Sequence, residues 1–486
     1  MSGACDGGAA GGPGALFVPV WSGTDAAVTQ NTVEGLANRL RGRVVRPTDA
    51  DYDRVRAVWN GMVDKRPALI VRCAGTSDVL EAVRHARARG LPVAVRGGGH
   101  NVSGAAVCDD GLVVDLTPMR GVRVDPAAGT VRADGGVTIG DLDRETQAFG
   151  LAVPMGVVTE TGIAGLTLGG GLGWLRRKYG LSCDDLISAD VVTADGRVVA
   201  AESDPELMWA LKGGGGNFGV VTSFEFRAHP VGPEVFFAQV IHAGRDARSA
   251  LRAYREWAAA APDEISSFAI LWHGPPDEAV PAEHHGAPIV VFAALHSGSP
   301  REGEEALRPL RAIGTPIADL SAASSYLEVQ RFFDEDYPAH VMRYYWKSRY
   351  LTGLPDELID VLVELNEAAP SPHSTLDVWQ LGGAFARVGA QDTAFGDRSA
   401  PFLLGIEANW EDPADDEACI AWARRVHAAA APFSTGAEYL NFPGLYEDAD
   451  RTVRDTFGAN LDRLAAVKRR YDPDNLFRFT HNIRPS

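Results

Sequence analysis

The stretch VAVRGGGHNVSGAAVCDDGLVVDL, residues 93–116, decides the fold. An apolar strand runs into three glycines and a histidine, and a second apolar strand follows within a dozen residues. A nicotinamide-type dinucleotide fold needs strand, glycine loop and then helix, so that a helix N-terminus receives the pyrophosphate. Here the glycine loop joins strand to strand. The literal G-x-G-x-x-G of the chain, GGGNFG at 214–219, leads into another strand, VVTSFEF, and fails the same requirement. The reading is an α+β chain whose bare backbone, beside one imidazole, lets a large flat or anionic ligand come close.

Outward from that loop, ALIVRCAG (68–75) reads as a strand, followed by a helix with Thr76, Ser77 and Asp78 as caps and Gly90 as its stop. GVRVDPAAGTVRADGG (121–136) reads as a hairpin, and a helix begins after Thr138. Two further glycine-dense stretches, 154–180 and 212–219, lie among apolar residues. From Pro230 the texture changes to strands and helices without glycine clusters. The expected organisation is a flexible tail at 1–25, a ligand-binding domain at 26–231, a second domain at 232–445, and a segment at 446–486 that returns to the first.

Composition narrows the class. A net charge of −18 without a basic patch argues against nucleic acid as partner. The five cysteines, Cys5, Cys73, Cys108, Cys183 and Cys419, are scattered, with no disulfide framework and no zinc spacing. No metal constellation occurs, and His284–His285 reads as a solvated loop pair. The N-terminus lacks the marks of a signal peptide, and no apolar run reaches bilayer length, so the expectation is a soluble, cytoplasmic protein with no membrane partner.

Five stretches, VRGGGHNVSG, GLVVDLTPM, GLTLGGGLGWLRRKYGLSCDDLISADVVTADG, LKGGGGNFGVVTSFEF and YDPDNLFRFTHNI, occur in order. Together they resemble the berberine-bridge-enzyme-like flavin oxidases of the vanillyl-alcohol-oxidase superfamily. The resemblance implies a two-subdomain PCMH-type FAD-binding domain plus an α+β substrate domain with an antiparallel sheet covered by helices. It implies FAD as cofactor, with Arg96, Gly97, Gly98 and Gly99 as the phosphate loop and His100 as the covalent anchor on the flavin 8-methyl carbon. Asn101, Ser103 and Gly104 would lie along the cofactor. Gly156, Val158, Thr159, Thr161, Gly162, Gly165 and Gly169 would surround the ring and ribityl chain. Gly219, Val220 and Val221 would meet the adenine end, and Asn441 and Asn482 would reach the flavin from the far side.

Many relatives carry a second, cysteinyl flavin bond at the position that Val158 occupies here. The reading is therefore a single tether, with Cys183 as a small buried hydrophobe. The implied reaction is hydride transfer from a small or medium organic substrate to the flavin, with O2 as acceptor and H2O2 as product, in specialised metabolism. Monooxygenation or dehydrogenation on the same scaffold is the alternative. Glu407 and Asn409, two apart on a strand, share a face toward the substrate. Tyr439 is the remaining tyrosine for a base, because Phe442 stands where relatives often have another. Its ordinary pKa of about 10 would have to fall for that role. Thr161 sits where relatives control oxygen access. Tyr344, Tyr345 and Lys347 are either cavity or core and surface residues. A monomer or homodimer is expected.

Overall fold

A computed structural model of the chain describes residues 32–442, 444–445 and 449–486. The expected tail at 1–25, and 446–448 at the start of the expected returning segment, lie outside the described residues. The first sheet contains β1 (Arg43–Val45), β2 (Leu69–Arg72), β3 (Val93–Arg96) and β4 (Leu112–Asp115), in the order β1-β2-β4-β3. β2 and β3 flank β4 and run parallel to it. Their unbroken apolar runs reflect burial on both faces. Val71, Leu112 and Val114 pack with Val79 and Val83 of the helix Thr76–Arg89, whereas Ile70, Ala94 and Val113 pack with Val55 and Val107.

That helix stops at Gly90, whose φ of +64° suits glycine, but its start differs from the expectation. Gly75 occupies the cap position and no side chain caps the helix. Asp78 is buried instead, accepting the backbone N–H groups of Arg41, Gly42 and Ala74. A carboxylate inside the first turn is worth more there, because those three donors would otherwise be left without a partner.

The second sheet is antiparallel: β5 (Val122–Asp125), β6 (Thr130–Asp134), β8 (Leu186–Val192), β9 (Val198–Ala200) and β10 (Val220–Arg227), in the order β5-β6-β10-β8-β9. β7 (Leu151–Ala152) and β11 (His229–Pro230) form a short ribbon beside it. β5 and β6 are the expected hairpin, and Thr138 caps the helix Ile139–Gln147 in a reciprocal box with Asp141.

The third sheet is antiparallel and eight-stranded. Its strands are β12 (Glu234–Ala243), β13 (Ile265–His273), β14 (Pro288–His296), β15 (Ala318–Asp319), β16 (Ala322–Ser325), β17 (Arg343–Leu351), β18 (Thr375–Gln380) and β19 (Phe402–Trp410). The main order is β15-β12-β14-β13-β18-β19-β17, with β16 also paired to β12. Alternation along β19 sorts its side chains. Leu404, Ile406 and Ala408 join the core under the helices Ala247–Ala260, Asp356–Glu367 and Asp416–Ala430. Leu403 faces the other way, into a core shared with Trp174, Leu172 and Val158 from the glycine-rich part. So the helices cover one face of this sheet, and the other face closes over the glycine loops.

Buried arginines pin that closure. Arg176 donates to the carbonyls of Gln380 and Ser267, and Arg177 to those of Leu381 and Ile265. The C-terminal segment runs back over the first part: Lys468 donates to the Asn217 carbonyl, and the Asn217 amide donates to the His481 carbonyl. Among the described residues no helix is long and apolar enough to cross a membrane.

Candidate active site

β3 ends because its last side chain turns inward. The Arg96 guanidinium forms a fork to Asp115 at the end of β4, at 2.7 and 3.2 Å, and reaches the Val55 carbonyl at 2.7 Å. Burial alone would push the Asp115 carboxyl up, yet the Arg96 guanidinium holds it below its ordinary range. The pair anchors the start of the loop from beneath. Arg96 itself lies outside the cavity lining, with its side-chain donors spent on protein.

Gly97, Gly98 and Gly99 follow, and all three line one cavity. The need for glycine here is steric. A Cβ on Gly98 would lie 2.3 Å from the Gly162 nitrogen, and one on Gly162 would lie 2.2 Å from the Gly98 nitrogen. Two loops touch backbone to backbone at this point, and their bare faces form one wall. Gly156, Val158, Thr161, Gly165 and Gly169 continue that wall, with Gly219 and Val221 farther along.

Beyond Arg96, four further expected contacts do not line the cavity. Ser103 and Gly104 build the turn after the loop: the Asn101 carboxamide oxygen accepts the Ser103 N–H, and Gly104 takes a φ of +68°. Thr159 instead bonds Asp334 through both its N–H and its hydroxyl, at 2.8 and 2.5 Å. Val220 alternates away from Val221 into the core of the first sheet. Asn482 is a fifth departure: the tail lines the cavity with residues 477–481 and stops one short of it. Asn441 lines the cavity, held by its bonds to the Leu166 carbonyl and the Tyr439 hydroxyl.

His100 faces the cavity from the loop's end. It is partly buried, its buried Nε2 has no hydrogen-bond partner, and burial pushes its pKa down to about 3. A neutral imidazole with a free ring nitrogen therefore stands in a glycine-walled chamber. Val158 lines the chamber at the second-tether position, while Cys183 is buried in the adjacent core and its thiol is pushed up by burial.

The side-chain part of the lining comprises Phe333, Tyr337, Trp346, Asp377, Trp379, Glu407 and Phe442. Strand register explains the set. Glu407 lies between Trp346 of β17 and Thr375 of β18, and Gly405 lies opposite Asp377. Gly405 leaves the space these groups use, since a Cβ there would come 3.2 Å from Glu407 Oε1 and 3.4 Å from Trp379 Nε1. Tyr337 donates to Glu407 Oε2 at 2.6 Å. Burial raises the Glu407 carboxyl well above its ordinary value, and the nearby Asp377 raises it further. Asp377 is raised too, first by burial. Two neighbouring carboxyls in a dry chamber do not both ionise readily.

Asn409 shares the face of Glu407 but not its role. Its side chain accepts from Trp346 Nε1 at 2.7 Å and donates to the His373 carbonyl, outside the lining. Tyr439 lines the cavity, but its pKa moves opposite to what a base needs. Burial drives it up to about 12, although its oxygen accepts N–H bonds from Leu172, Asn441 and Gly171. Tyr344 and Tyr345 are both core residues and line nothing, and neither does Lys347. The residues that sequence reasoning missed are Tyr337, Trp346, Asp377 and Trp379. Of these, only Asp377 left a signal, a lone carboxylate in the apolar strand TLDVWQ.

A bare-backbone wall, a neutral histidine and paired acids among aromatic rings, all lining one cavity, define a flavin-type oxidoreductase chamber. Residues 67–202 match the FAD-binding-domain family, and 438–484 match the berberine and berberine-like family. The chain is 30% identical to the FAD-linked oxidoreductase YgaK of Bacillus subtilis, covering 92% of this chain and 98% of that one. It is 31% identical to (R)-6-hydroxynicotine oxidase of Paenarthrobacter nicotinovorans, covering 92% and 97%. The crystal structure of 6-hydroxy-D-nicotine oxidase from Arthrobacter nicotinovorans superposes with a TM-score of 0.81 at 31% identity, over 92% of this chain and 98% of that one. The Physcomitrella patens BBE-like 1 structure shares the fold, with a TM-score of 0.84 at 23% identity over 94% and 99%. The chain belongs to the berberine-like FAD-linked oxidoreductases and is an enzyme.

Proposed function

We propose that this enzyme is an FAD-dependent oxidase with a single histidyl tether, acting on a small or medium organic molecule with O2 as the final acceptor. The observation that carries this reading is that the Glu407–Asp377 pair, the His100 imidazole and the bare glycine loops all line one chamber. The residues fit the cofactor, because Gly165 lines the cavity with nothing within 4 Å of where a Cβ would stand, so a side chain there would occupy the cradle. When bound there, FAD supplies a two-electron hydride acceptor. Gly97–Gly99, Gly156, Gly162, Gly165, Gly169, Gly219 and Val221 hold it through backbone contact, and His100 holds it by a covalent bond.

Glu407, when it is the ionised member of the pair, is the group that takes the substrate's proton. A carboxylate with a raised pKa is a stronger base than an ordinary one, and its ideal value lies near the working pH. Tyr337 orients it through the 2.6 Å bond, and Asp377 keeps its proton affinity high. Trp346, Trp379, Phe333 and Phe442 exclude water and orient a flat or apolar substrate over the cofactor. Tyr439 holds the Gly171–Leu172 backbone in place, and Thr161 leaves room for O2. Buried, unpaired cysteines among the described residues support a reducing, cytoplasmic setting.

The test begins with acid precipitation of the yellow protein. Colour that stays with the pellet in wild type and washes out of His100→Ala supports the tether; colour that stays in both overturns it. Peroxide release from a panel of amines, alcohols, sugars and phenols then identifies the substrate class. On that substrate Glu407→Gln should lower kcat by about 100- to 10,000-fold. An unchanged kcat would remove Glu407 from the reaction.

A further inference from the structure

The residue beside His100 that the mechanism has not used is Trp59. Its indole lies on the His100 imidazole, ring centres 4.1 Å apart and planes 19° from parallel. Its other face lies on the Tyr344 ring, 3.7 Å away at 14°. Three rings therefore stack as one column, His100–Trp59–Tyr344. The indole N–H donates to the Tyr337 carbonyl at 2.9 Å, and the Trp59 backbone N–H donates to the Gly99 carbonyl at 3.1 Å. Next to it, Asn60 bridges the two halves: its amide donates to the carbonyls of Val102 and Tyr344, and its oxygen accepts the Tyr344 N–H. Trp59 itself is buried and does not line the cavity.

We propose that Trp59 is the positioning residue for cofactor attachment: it fixes the plane of the His100 imidazole so that a ring nitrogen is aimed at the flavin 8-methyl carbon. The proposal rests on His100 being the tether. Attachment forms one C–N bond and breaks one C–H bond of the methyl group, with loss of the imidazole N–H proton. The two electrons released pass into the flavin and then to O2, which leaves as H2O2. Such a step is sensitive to orientation, and the imidazole Nε2 has no hydrogen-bond partner to hold it. The indole on its face, itself held on its far face and at its edge, constrains the plane of the ring by stacking.

The experiment uses wild type, Trp59→Phe, Trp59→Leu and Tyr344→Leu, all purified as flavoproteins. Total FAD is read from native absorbance, the covalent fraction from intact mass and acid-stable fluorescence, and folding from thermal melting. The expected result is that Trp59→Leu still binds FAD but attaches it roughly tenfold more slowly, the rate equivalent of one aromatic stack. Trp59→Phe should restore most of the rate, and Tyr344→Leu should fall between. Equal attachment rates in wild type and Trp59→Leu would overturn the proposal. So would a parallel fall in total FAD and melting temperature with the covalent fraction unchanged, which marks a merely structural role. If Trp59→Leu does not fold, Trp59→Phe and Tyr344→Leu carry the comparison, and wild-type rates in both would overturn it. A wild-type protein that releases all its FAD in acid refutes the His100 tether, and the proposal with it, whereas attachment in wild type and in Trp59→Leu alike refutes Trp59 only.

Discussion

Asp143 offers a stability prediction that is independent of the chemistry. It lies on the helix Ile139–Gln147, fully buried, and accepts one hydrogen bond from Gln330 Nε2 at 2.8 Å. Its Oδ1 and the Gln330 Oε1 have no partner. Burial drives its pKa from 3.8 to about 7. The sign follows from proton counts. Between those two values the unfolded chain has lost the proton and the folded chain keeps it, so stability falls as pH rises. Below about pH 4 both states are protonated, and above about pH 7 the loss is complete and constant.

At roughly 1.4 kcal/mol per pK unit, the folded protein gives up about 4 kcal/mol across that window. Asp143→Asn removes the titration. Its new amide also has a partner waiting, because it can donate to the unpaired Gln330 Oε1 while its oxygen keeps the Nε2 bond. The variant should match wild type near pH 4 and exceed it above pH 7, by about 4 °C in melting temperature for a chain of this size. Thermal melting of both holoproteins from pH 4.5 to 8.5 reads this directly. Two melting curves that stay parallel across that range would refute the reasoning.

Arg96→Met should cost about 3–5 kcal/mol in chemical denaturation, because it leaves the buried Asp115 charge with only the half-exposed Arg72 beside it; a loss below about 1 kcal/mol would make the fork dispensable. Thr161→Leu should slow reoxidation by O2 several-fold while anaerobic reduction by substrate stays close to wild type, and equal effects on both half-reactions in stopped flow would refute a gating role. Proteolysis with mass spectrometry should give a flavin peptide containing His100 alone, and a flavin joining His100 and Cys183 peptides would overturn the single tether.

What the sequence revealed and what it hid follow one physical division. The strand–glycine–strand loop was legible because a backbone-to-backbone approach permits no side chain, so Gly98 and Gly162 had to appear as glycines. Glu407 was legible as a carboxylate in an apolar strand. Asp377 gives a similar signal in TLDVWQ, but its meaning depends on its pairing with Gly405, which is a matter of register across 28 residues of chain. For Arg96, nothing local shows that its side-chain donors are spent on Asp115 and the Val55 carbonyl. Asn409 followed the right face but sits too far along β19. Trp59 was invisible, because its two stacking partners lie about 40 and 285 positions away in the chain.

Gly405 has a consequence for how this scaffold can be retuned. The cofactor half of the chamber is made of main chain and leaves little to exchange, since nearly any replacement collides. The side-chain half is made of interchangeable groups arranged around one missing methyl group. A methyl group added at Gly405 would crowd Glu407 at 3.2 Å while standing in ordinary contact with Trp379 and Asp377 at 3.4 and 3.5 Å. Appetite for substrate and grip on the cofactor are thus set by different materials, so one chain position acts as a dial for the former while leaving the latter untouched.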